Sequence, residues 1–118
     1  VVAFGTLYEE DGSVEVQAGS EIVKYNKGQE YEEWQYDRYE ELLEEGIIKE
    51  TENGAVFVKD FMFIPHKKNN TALSETAGII LCGNRNGWEY WKDVNRKSLN
   101  SNKELKKRLS SDKYPNEN

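Results

Sequence analysis

A chain of 118 residues holds one domain, and its 26 Leu, Ile, Val and Phe with ten Trp and Tyr allow only a modest core. No apolar run approaches the length that spans a bilayer, so no membrane partner is expected. The net charge of −6 hides an asymmetry: residues 1–57 carry fifteen acids against four bases, and residues 58–118 carry seven against twelve.

The elements follow in chain order. VVAFGTLY reads as a strand ending at the acidic turn Glu9-Glu10-Asp11-Gly12, and SVEVQA alternates with Val14, Val16 and Ala18 on one face. Asp-Gly between two such runs signals a hairpin. Glu21-Ile22-Val23 continues the strand or begins a loop. From Gln29 to Glu45 the pattern turns helical, with Tyr31, Trp34, Tyr39, Leu42 and Leu43 near one face, and Gly46 stands at the C-cap. Ile47–Thr51 and Ala55–Asp60 are expected strands around the turn Glu52-Asn53-Gly54, and Phe61–Ile64 prolongs the apolar run to Pro65. Ser74 or Thr71 caps a helix through Cys82, which Gly83 closes. Asn84–Gly87 reads as a turn and WEYWKD as a strand. Ser101-Asn102-Lys103-Glu104 is a capping box opening a last helix to about Leu109, and residues 110–118 read as a flexible tail. The expected class is α+β: a small antiparallel sheet with two or three packed helices.

Little points to catalysis. Glu40, Glu41, Glu44 and Glu45 read as a solvated helix face, and Ser74 has no histidine or elbow glycine pattern around it. Cys82 sits in the apolar run Ile79–Cys82 as core filler. As the lone cysteine it excludes an internal disulfide framework, and one His66 without a cysteine cluster supplies no metal site. No catalytic group, metal or cofactor is expected. With Val1 in place of Met and no signal pattern, the chain reads as a domain cut from a longer protein.

The richest constellation is N-R-N-G-W-E-Y-W-K at 84–92. On a strand, Trp88, Tyr90 and Lys92 point one way and Trp91 the other. Two Trp on opposite faces either present one face to a ligand or cover two parts of a thin sheet, and the residues alone leave both readings open. Arg85, Lys92, Arg96 and Lys97 interleave cations with the indoles, the chemistry of phosphate attraction and base stacking.

The string S-E-T-A-G-I-I-L-C-G-N-R-N-G-W-E-Y-W-K-D, with K-S-L at 97–99, resembles the domain of unknown function 4357 and is similar to the restriction-enzyme adenine-methylase-associated (RAMA) domains. The resemblance spans about residues 3–109. It implies one RAMA-like α+β domain, set in the cytoplasm beside a GIY-YIG nuclease or a restriction-modification methylase. The implied role is a non-catalytic accessory one that binds DNA and reads a modified base, adenine in RAMA-like members. By position, Asn86, Gly87, Trp88, Trp91, Lys92 and Lys97 carry the function, with Arg85 and Arg96 as flanking cations. The acidic helix 29–45 then faces away from DNA or toward the parent enzyme. Where the family has Gly before Lys, this chain has Arg96, which predicts a reshaped turn. The alternative is a protein-interaction module in which the aromatic patch docks on the partner nuclease or methylase domain.

Overall fold

Both glycine-containing turns close hairpins, as their turn chemistry predicts. β1 (Gly5–Leu7) pairs antiparallel with β2 (Val14–Val16), and β4 (Ile48–Thr51) with β5 (Gly54–Phe57). The structure, a computed structural model, describes residues 1–25, 33–67 and 70–110. Its other elements are β3 (Glu21–Val23), α1 (Glu33–Glu44), β6 (Phe61–Phe63), α2 (Leu73–Leu81), α3 (Gly87–Tyr90), a 3-10 turn at Leu99–Ser101 and α4 (Lys103–Ser110). The fold is α+β, with the strands in two three-stranded antiparallel sheets ordered β1-β2-β6 and β3-β5-β4. Positions 29–32 of the expected first helix and 111–118 of the expected tail lie outside the described residues.

The chain switches sheets twice, once between β2 and β3 and once between β5 and β6. The expected strand 55–60 therefore stops at Phe57, because Val58–Asp60 must carry the chain across. Asp60 holds that corner by accepting the Ala18 N–H at 2.8 Å, and Gly19 donates to the Phe57 carbonyl at 2.8 Å. Val14, Val16, Ile22, Phe57 and Phe63 fill the core between the sheets and α2, with the Phe57 and Phe63 rings edge to face at 6.2 Å.

Four local expectations are corrected. The WEYWKD strand is the short helix α3: the Asn86 side chain accepts the Trp88 N–H at 3.0 Å, and Trp91 donates to the Gly87 carbonyl at 3.0 Å. Helix α2 is preceded by Ala72 rather than capped by Thr71 or Ser74, although the Thr71 hydroxyl accepts the Leu73 N–H at 3.3 Å. Its left-handed closing residue is Cys82 at φ 56°, not Gly83. At α4 the cap is Asn102, which accepts the Leu105 N–H at 3.1 Å, while Ser101 belongs to the preceding 3-10 turn.

Candidate functional site

Helix α1 turns Gln35, Tyr39 and Leu42 inward, so Trp34, expected among the core-facing residues, is 44% exposed. The reason is a polar pin. Gln35, fully buried, donates from Nε2 to the Gly83 carbonyl at 2.7 Å, which satisfies an amide that burial would otherwise penalise. Gly78 permits the approach, since a Cβ there would stand 2.6 Å from the Gln35 amide nitrogen.

A second joint fixes α3. The Ser74 hydroxyl accepts the Gly87 N–H at 3.0 Å. A Cβ on Gly87 would lie 2.2 Å from the Leu73 carbonyl oxygen, so only glycine lets the two helices meet. Trp91 completes the joint: its indole N–H reaches the Thr76 hydroxyl at 2.9 Å and the Leu73 carbonyl at 3.2 Å. Its ring edge lies 3.2 Å from the position a Cβ on Gly5 would take.

Between these joints lies an open groove of about 1010 Å³. Its walls come from the outward side of α1 (Trp34, Asp37, Arg38, Glu41), the segment around His66, Lys67 and Asn70, the start of α2 (Ser74, Glu75) and the stretch Asn84–Asn86 with Trp88. Two indoles thus border one hollow. Arg38 rests against the Phe61 and Phe63 rings at 5.5 and 5.6 Å from their centroids and approaches Glu41 at 3.5 Å. Arg85 lies over the Tyr90 ring at 5.8 Å. Lys106 of α4 stands 5.9 Å from the Trp88 ring and donates to Asn100 at 2.6 Å.

The residues expected to act together are divided. Arg85, Asn86 and Trp88 line the groove. Gly87 and Trp91 build the α2–α3 joint behind it. Lys92 borders a separate hollow of about 330 Å³ with Trp91 and Leu105. Arg96 and Lys97 are exposed on a turn in which the Asp93 carboxylate accepts the Asn95 and Lys97 N–H groups at 2.8 and 3.1 Å. Arg96 adopts φ 64°, the left-handed conformation that glycine favours.

Sequence reasoning passed over Trp34, Glu75 and Lys106. Helix α1, expected to face away from DNA or toward the parent enzyme, gives Trp34, Asp37 and Arg38 to one wall of the groove. The signal for Trp34 was present in Gln35: a polar residue that can be pinned inside shifts the buried stripe by one position. Cys82 is buried, and burial pushes its thiol above the ordinary value, the mark of a packing residue. Among the described residues no three His, Cys, Asp or Glu side chains gather as a metal site, and no helix is long and apolar enough to cross a membrane.

A family model described as Domain of unknown function (DUF4357) matches residues 3–103. Comparison with curated proteins and with solved structures gives no match to this chain.

Proposed function

Because the chain belongs to the DUF4357 family over residues 3–103, we propose that it is a non-catalytic accessory domain of a restriction-modification or nuclease-type protein, binding DNA through the groove. The observation that carries this reading is the pairing of Trp34 and Trp88 in one hollow with Arg38, Lys67 and Arg85. Indole planes stack on unpaired bases at about 1–3 kcal/mol each, and the cations attract phosphates. Lys106 stands beside Trp88, and Lys103 and Lys107 on the same helix are exposed, further cations for a phosphate backbone. The similarity of the 84–92 motif to the RAMA domains supports a further step, that the base taken up is a modified one such as N6-methyladenine.

Titration of the isotope-labelled chain with a short duplex at low salt, with and without N6-methyladenine, tests the proposal. Resonances of Trp34, Arg85, Trp88 and Lys106 should move, while the Trp91 indole, bonded behind the groove, should move little. Affinity should fall with salt by about −0.9 in log–log slope per phosphate neutralised. A larger response to the methylated duplex makes the domain a modification reader. The absence of shifts with either duplex overturns the proposal.

One observation favours the second reading, docking on a nuclease or methylase domain. Val1, Ala3, Ala77, Ile80, Leu81 and Tyr90 surround a small apolar hollow that shares no residue with the groove. Val1 and Tyr90 are more than half exposed there, at 60 and 52%. Resonance shifts confined to these residues on adding a parent catalytic domain select this reading.

A further inference from the structure

Glu75 is the groove carboxylate most withdrawn from water, with a side chain only 12% exposed. Asp37 and Glu41 on the facing wall are open to solvent. Its partner is His66 at 3.2 Å, whose own side chain is 81% exposed. An imidazole so open to water is easily exchanged for another donor. The groove therefore offers stacking planes, a sheltered acceptor and cations together. A nucleotide has the matching parts: a flat ring, an N–H edge and a phosphate. A cationic ligand would satisfy Glu75 but would meet Arg38, Lys67 and Arg85.

Resting on the nucleic-acid reading above, we infer that Glu75 reads the exocyclic amino group of an unstacked base, so that the groove prefers adenine or cytosine to thymine. An ionised carboxylate only accepts hydrogen bonds, and charge-assisted bonds of this type are about twice as strong as neutral ones. Adenine and cytosine each present an amino group. Thymine's single edge N–H is flanked by two carbonyl oxygens, which repel a carboxylate. N6-methyladenine keeps one N–H for Glu75. The base must leave its stack to present this edge to the groove, which costs least where it is already single-stranded, so a single strand should bind at least as well as a duplex.

The test uses fluorescein-labelled single-stranded hexamers of dA, dC and dT at low salt, followed by anisotropy with the full chain and with Glu75→Gln. Wild type should bind dA and dC at least about ten-fold more tightly than dT. Gln keeps the length and the contact to His66 but loses the charge, so in Glu75→Gln the preference should shrink to within about two-fold. Affinity for dT should stay level or rise. Equal binding of all three oligomers by wild type overturns the role of Glu75 and leaves DNA binding standing, and this comparison needs no variant. A ten-fold preference surviving in Glu75→Gln does the same. Binding of duplex but of no single strand overturns the unstacked base alone, whereas no response to single strands or duplex removes the DNA reading as well.

Discussion

The Ser74 hydroxyl and the Gly87 backbone N–H, thirteen residues apart, meet at 3.0 Å and tie the start of α3 to the first turn of α2. The N-G-W element is thereby a joint before it is a surface. Asn86 caps, Gly87 makes room, and Trp91, four residues on, locks the pair through Thr76.

Gly87→Ala forces a methyl group into the Leu73 carbonyl and should destabilise the fold by about 2–3 kcal/mol, as overpacking does. Ser74→Ala leaves the Gly87 N–H without its acceptor and should cost about 1–2 kcal/mol. Urea unfolding of both variants measures this. A Gly87→Ala protein as stable as wild type would show that α3 docks some other way.

The two tryptophans should separate cleanly. Trp91→Ala removes a packed ring and two hydrogen bonds and should lower stability by about 3–5 kcal/mol. Trp88→Ala should cost only about 1–2 kcal/mol while abolishing most of the DNA response. Thermal melts and anisotropy on the same samples decide it; the reverse pattern would place the stacking surface at Trp91.

Arg96→Gly should stabilise the protein. The left-handed backbone at φ 64° costs a non-glycine residue about 1–2 kcal/mol, against about 0.5–1 kcal/mol of added chain entropy for glycine in the unfolded state. The net gain, up to about 1.5 kcal/mol, should show as a higher melting temperature. A lower one would mean that Arg96 makes a contact worth more than its strain.

Alkaline stability should depend on Tyr39. Burial first, and then the Glu50 carboxylate at 3.3 Å, push its phenol from 10.0 up to about 12. The folded state holds this proton more tightly than the unfolded one, so the contribution is complete below pH 10 and is lost as pH rises toward 12. Urea midpoints from pH 8 to 11 should fall more steeply for wild type than for Tyr39→Phe. Parallel curves would show that the phenol titrates as in the unfolded chain.

The hairpins were legible because Asp11-Gly12 and Asn53-Gly54 carry their turn geometry locally. The helices α2 and α4 were legible from their apolar spacing, within a residue or two at their ends, whereas the caps expected at Thr71 or Ser74 and at Ser101 gave way to Ala72 and Asn102. The 84–92 segment was not. Its aromatics favour a strand, and the contact of Gly87 with Leu73 that makes it helical is tertiary. Trp34 was hidden for a similar reason: two overlapping stripes fit α1, and the choice between them rests on the Gly83 carbonyl that receives Gln35.

The stretch from Gly83 to Gly87 is moored at both ends, to α1 through Gln35 and to α2 through Ser74. The span between the moorings is short and its path is set by backbone groups. Arg85, whose guanidinium lies over Tyr90 at the groove wall, is thus a fitting on a fixed rail. Exchanging it should change the charge the groove presents while the frame, held by Gln35 and Ser74, stays as it is.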